Sequence, residues 1–241
     1  MFRFLLLLLS LSFMSGAQAD DRTLANELHA IRSVAFTTCS NLLLYHSSGG
    51  YGGDSRNLEV YRAGVARLSE LVARTGDVEL QEPVRQMSEQ VDMLERNKNA
   101  DRLLKPRWVI PALQAHALLD ARLADRYAAM SVPPAMRMLH EQSLDISRIL
   151  LMYQIRVFGS LAVYFMEVDE ETPGRLDLRV TDRFGQLMMR LPDNERELDE
   201  LQRHYLFIRS RLLGRDASLV PAGAEYYLGK SVVALDSMAT P

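Results

Sequence analysis

The chain has 241 residues, 48% hydrophobic and 24% charged, with a formal net charge of −3. That is the balance of a globular protein with room for one large domain or two small ones. Its mild acidity, with both signs interspersed, argues against nucleic acid as a partner, because neutralising phosphates needs a basic face.

The N-terminus reads as an export leader. Met1-Phe2-Arg3 is a short basic start, Phe4 to Met14 an apolar run, and Ala17-Gln18-Ala19 a cleavage site of the A-x-A type. The apolar run covers about eleven residues, and a membrane span needs about twenty. Cleavage after Ala19 is therefore expected, giving a periplasmic or secreted protein with no transmembrane anchor. No cysteine follows the site to carry a lipid. Removal of residues 1–19 takes away Arg3 alone and leaves a net charge of −4. The single cysteine, Cys39, cannot form an internal disulfide, so a packed core must supply stability. It lies on an apolar helical stretch, where a buried inert thiol is expected.

Helical spacing then runs through the chain. From Leu24, apolar or small residues recur at Leu28, Ile31, Ala35, Thr38, Leu42 and Tyr45, with Thr23 as the expected N-cap. The run Ser47 to Gly53 ends that helix. A second helix is expected from Leu58 to Arg74, closing at Thr75-Gly76, and a third from Pro83 to Asn97. A fourth starts at Pro111 and stops before Ser131-Val132-Pro133-Pro134, which marks an internal boundary. The pattern restarts with a long helix from Leu139 to Met166. Within it, Ile149 to Met166 is apolar but carries Arg156 near its middle, which suits a helix buried in a bundle better than one in lipid. Helices from Leu176 to Leu191, from Glu195 to Leu213 and from Pro221 follow. Neither alternation of period two nor a hairpin turn signal supports a strand. The expected fold is all-α.

The two halves echo each other. "ELHAIRSVAF" (Glu27–Phe36) lies over "SLDISRILLM" (Ser143–Met152), pairing Leu28 with Leu144 and Arg32 with Arg148. "RLLKPRWVIPALQAHALL" lies over "RLLGRDASLVPAGAEYYL", each with two aliphatics before Pro-Ala. Matched elements in the same order predict two tandem helical-bundle repeats of about four helices each, residues 20–131 and 135–241. The shared Pro-Ala reads as a helix start, with the preceding aliphatic stapled onto the first turn.

Motifs for chemistry are lacking in the sequence. No two of His29, His46, His116, His140 and His204 lie within five residues of each other, and H-E-x-x-H and E-x-x-H do not occur. Each histidine is expected at a helix surface or partly buried, and neither a metal site nor a cofactor is expected. No G-x-S-x-G, S-x-x-K or Cys–His pairing marks a nucleophile, so no catalytic residue is assigned. Tyr205, Phe207, Tyr226 and Tyr227 are expected on core-facing helices. Arg32 and Arg148 stand out, since a guanidinium among apolar helices must be paired or poised for an anion. An intrahelical partner such as Glu27 or Asp145 is the plain alternative.

"SRILLMYQI" (Ser147–Ile155) resembles the run Gly-Arg-Gln-Arg-Met-Leu-Ser-Gln-Arg of the PilJ-type sensor domain, found at the N-terminus of type IV pilus methyl-accepting chemotaxis transducers. Arg148 matches the first arginine, Leu151-Met152 stand for Met-Leu, and Gln154 matches the glutamine. "FGQLMMRL" and "LQRHYLFIRSRLL", with Gln202 and Phe207, resemble later family segments. The family's second and third arginines are Leu150 and Ile155 here, and Arg156 lies one residue out of register. The resemblance implies a stand-alone tandem sensor domain, non-enzymatic, that binds a small ligand or an envelope protein partner. It makes Arg32, Arg148 and Gln154 candidate ligand-binding residues, since related sensor domains hold anions such as nitrate with interface arginines. An enzyme with dispersed, motif-less residues in an inter-helix pocket is the alternative.

Overall fold

The computed structural model describes residues 2–47, 52–97, 99–101, 103–159, 172–214 and 220–240, with side chains from Asp21 onward. Within them run eight α-helices and one 3-10 turn, with no strand among the described residues. They are α1 (Phe2–His46), α2 (Ser55–Thr75), α3 (Val78–Arg96), α4 (Pro106–Ala128), α5 (Pro134–Phe158), α6 (Thr172–Arg190), the 3-10 turn Pro192–Asn194, α7 (Glu195–Leu212) and α8 (Pro221–Ala239). The all-α expectation holds.

Local chemistry explains the sharpest boundaries. Asp54 and Asp77 each accept the backbone N–H two residues on, capping α2 and α3 at 2.9 Å. Gly76, at φ +66°, takes the left-handed turn between them, which a side chain would strain. In α3, Leu80, Val84, Met87, Val91 and Leu94 are buried at spacings of four and three, one apolar stripe per helix. The two hairpins α2/α3 and α6/α7 are each clasped by a carboxylate that takes a tyrosine and an arginine. Glu95 accepts from Tyr61 (2.9 Å) and Arg62, and Asp177 accepts from Tyr205 (2.9 Å) and, twice at 2.6 Å, from Arg209.

Helices α1 to α4 touch in a ring, α1 with α2, α2 with α3, α3 with α4 and α4 with α1, and α5 to α8 form a second ring in the same order. The rings meet where α1 lies against α5 and α8. Helices α1 and α5 are thus enclosed on most sides, and their polar residues go with them. Thirteen of the sixteen buried polar or charged side chains belong to these two helices. Each must find a partner inside, because an unpaired buried polar group costs about 1–3 kcal/mol.

Several boundaries differ from expectation. Thr23 is interior to α1 and does not stand at its N-terminus. Pro83 and Pro111 are interior to α3 and α4, which begin five residues earlier at Val78 and Pro106. Pro106 takes the first-turn position expected of Pro111, because a proline is tolerated there without loss of a hydrogen bond. The twice-written Pro-Ala is a helix start in α8 only. There the Val220 N–H donates to the Tyr153 hydroxyl (2.8 Å), so α5 fixes where α8 begins. Helix α5 starts at Pro134 and ends at Phe158, capped by Gly159 (φ +81°), where a helix over 139–166 was expected. The remainder of that expected helix lies outside the described residues, as do the side chains of the expected leader.

Cys39 is buried, and burial pushes its thiol up to about 12, so it stays protonated and inert. His29, His46, His116 and His140 are fully buried, more than their sequence neighbourhoods suggest. Phe207 (63% exposed) and Tyr226 (57%) face outward where a core position was expected, while Tyr205 is buried. Among the described residues no helix is long and apolar enough to cross a membrane.

Candidate functional site

Arg32 enters the seam between the two rings from α1 and is only 5% exposed. Its Nε donates to Asp120 Oδ1 of α4 at 2.6 Å. The other oxygen of Asp120 takes Arg148 Nη2 of α5 at 3.3 Å. Arg148 Nη1 reaches Asp145 Oδ1 one helical turn back at 3.2 Å. Asp145, with a side chain 4% exposed, also accepts two bonds from Arg179 (both 3.1 Å) and one from Arg183 (2.9 Å), both on α6. Arg183 Nη2 lies 3.4 Å from Glu141. One continuous chain of charge therefore ties α1, α4, α5 and α6. The sequence-predicted pair Arg32 and Arg148 meets through a shared carboxylate, and the expected partner Glu27 is not used by Arg32.

Burial pushes the Asp120 carboxyl up, but the charge and hydrogen bond of Arg32, with Arg148 behind, outweigh it and hold the group below its ordinary range. Asp145 behaves alike, with burial opposed by the hydrogen bonds and charges of Arg179 and Arg183. Both are anionic at neutral pH. Even so, the arginines are in excess. A cleft of about 400 Å³ is walled by Arg32, Arg137, Arg148, Arg179 and Arg183 against Glu141 and Asp145, with Asp120 as the third carboxylate nearby. Five guanidiniums face three carboxylates, which makes the cleft a natural place for an anion.

The cleft's inner wall is Tyr127 and His140. The Tyr127 hydroxyl and His140 Nδ1 are 2.8 Å apart, and the His140 ring stacks on His29 at 3.8 Å, nearly parallel at 8°. His29 Nε2 lies 2.6 Å from Asp236 of α8, and Ser33 and Ser143 both donate to that carboxylate at 2.6 Å. Burial above all, then the charge of His29, brings His140 down to about 3, so it is neutral. The two serine hydroxyls spend their protons on Asp236 and not on an imidazole. The His–Asp pair is thus not arranged to activate a nucleophile.

Gln154 sits elsewhere. It is 1% exposed and donates to the Pro221 carbonyl at 3.1 Å, helping Tyr153 hold the start of α8. Arg156 faces away as its register implies, donating to the Arg211 carbonyl at 2.6 Å and lying over the Tyr153 ring. Asp145 was the intrahelical partner expected for Arg148 and is used as such, whereas Asp120, Arg179 and Arg183 escaped sequence reasoning. The available signal was the pair Arg179 and Arg183, one helical turn apart beside the apolar stripe of α6. Among the described residues no group of three or more His, Cys, Asp or Glu is placed to hold a metal ion. Set against known proteins, the chain matches no family model, no curated protein and no solved structure.

Proposed function

We propose that this protein is an exported, non-enzymatic, sensor-like binding module whose arginine cleft recognises a small anion. The observation that carries the reading is the convergence of Arg32, Arg148, Arg179 and Arg183 from three helices on two carboxylates, leaving positive charge in excess beside a 400 Å³ cleft. The resemblance of Ser147–Ile155 to PilJ-type sensor domains agrees with this reading, as does the leader-like N-terminus, which would place the module in the cell envelope. Transmission of the binding event would then fall to a partner protein. The exposed Phe207 of α7 and Tyr226 of α8, both packed on Tyr227, offer an apolar surface such a partner could cover.

The test is calorimetric titration and thermal melting of residues 20–241 with sulfate, nitrate and acetate. A ligand that binds only the native state raises the melting temperature in a concentration-dependent way. Binding that weakens at least tenfold in Arg179→Gln supports the cleft as the site. Absence of binding by all three anions overturns it.

A further inference from the structure

The arginine cleft has a neighbour. On the other side of Arg148 and Arg179, α1, α4, α5 and α6 line a second, open cavity of about 360 Å³, whose walls include Phe36, Leu113, Leu151, Ile155 and Leu176. Its volume falls in the range of about 300–1,000 Å³ typical of small-molecule sites. The two arginines belong to both cavities. Arg148 also lies over the Phe36 ring, 5.7 Å from its centre. An apolar chamber therefore opens directly onto a pair of guanidiniums.

One further wall residue is out of keeping with the apolar surroundings. His116 of α4 is 4% exposed, stands edge-on to Phe36 at 4.5 Å, and its Nε2 has no hydrogen-bond partner among the described residues. A buried polar atom left unpaired is costly and uncommon in native structures. Burial holds the ring down to about 4, outweighing the charge of Asp120, so at neutral pH it is an uncharged group that can exchange a hydrogen bond with a ligand. Arg148 spends one donor on Asp120 and one on Asp145, and Arg179 two on Asp145. A guanidinium carries five N–H donors, so the bonds among the described residues leave each arginine with donors for a ligand carboxylate.

We infer that the ligand class of this site is an organic carboxylate with a compact apolar body, its carboxylate on Arg148 and Arg179 and its body in the chamber beside Phe36 and His116. This rests on the anion-binding reading above and narrows it. A carboxylate suits the planar, two-toothed geometry of guanidinium better than a spherical ion, and the chamber supplies burial that an inorganic anion cannot use.

The experiment compares phenylacetate, acetate and sulfate by titration calorimetry on residues 20–241, wild type and Ala117→Trp. Ala117 lines the chamber from an exposed position on α4, so the larger ring can fill the space without disturbing the core. Phenylacetate is expected to bind at least tenfold more tightly than acetate. Ala117→Trp is expected to abolish that advantage while sulfate affinity stays within about twofold of wild type, which also shows that the variant is folded. Equal affinity for phenylacetate and acetate, with sulfate still bound, sinks this inference and leaves the anion-binding reading standing. An undiminished phenylacetate advantage in Ala117→Trp sinks it as well. Failure of all three ligands to bind removes both.

Discussion

Two carboxylates reach the central helices from opposite rings, and they are satisfied in different currencies. Asp120 of α4 bridges α1 and α5 through Arg32 and Arg148. Asp236 of α8 bridges the same two helices through His29, Ser33 and Ser143. Each rivets the rings together, but only on the Asp120 side are the partners permanently charged. That side carries the excess of cations, the cleft and the apolar chamber. The Asp236 side is a hydrogen-bonded seam backed by a stacked imidazole pair. The cation-rich cleft thus lies where arginine, and not hydroxyl or imidazole, neutralises a buried acid.

The comparison breaks most simply by removing the acids. Asp120→Ala leaves Arg32, almost fully buried, without its partner, and breaking one side of a buried ion pair costs about 3–5 kcal/mol. Asp236→Ala leaves two hydroxyls and an imidazole to find other partners, a loss on the order of 1–3 kcal/mol. Urea denaturation followed by circular dichroism measures both. Equal losses in the two variants would show that the charge on the Asp120 side makes no distinct contribution to stability.

Acid exposes the other side of the contrast. His140 stays neutral in the native protein down to about pH 3, whereas an unfolded chain protonates its histidines near 6.5. The unfolded state therefore binds more protons between those limits, and stability falls as pH drops, by up to about 1.4 kcal/mol per pH unit. His46 and His116, both lowered to about 4 chiefly by burial, add the same slope over pH 6.5 to 4. Asp120 and Asp236 are held below their ordinary range, so their contribution is present above about pH 4 and is lost only as pH falls through their native values. Denaturation midpoints from pH 7 to 4.5 should decline less steeply in His140→Phe, by one proton's share. An unchanged slope would detach His140 from the acid response.

How much of this was legible in the chain depends on the range of the force involved. Capping acts over two or three residues, so the closure of α2 at Gly76 could be read from Thr75-Gly76. Apolar periodicity acts over one helix, so α7 was placed within a residue at either end. The start of α4 could not be decided locally. Pro106 and Pro111 both suit a first turn, and the choice rests on neighbours such as Val109, fully buried once the helix begins at Pro106. The site is the extreme case. Arg32 could be flagged as a charge in an apolar setting, but its partner lies 88 residues away and Arg183 lies 38 from Asp145. No local spacing encodes such a meeting, and Gln154 matched a family pattern yet ended up holding a helix terminus.

The smallest expected stability effect is the most informative about purpose. Arg179 donates twice to Asp145, yet its side chain is 52% exposed. An exposed ion pair contributes little because water screens it and the long side chain loses freedom in making it. Asp145 also keeps Arg148 and Arg183 when Arg179 is removed. Arg179→Gln should therefore shift the unfolding free energy by less than about 1 kcal/mol. If Arg179 served mainly to bind Asp145, that small change would be its whole effect. If it serves the cleft, sulfate affinity falls tenfold or more in a variant that is as stable as wild type. A large loss of stability, with sulfate affinity intact, would move Arg179 to the structural side of the comparison and leave the Asp120 side a rivet like its counterpart.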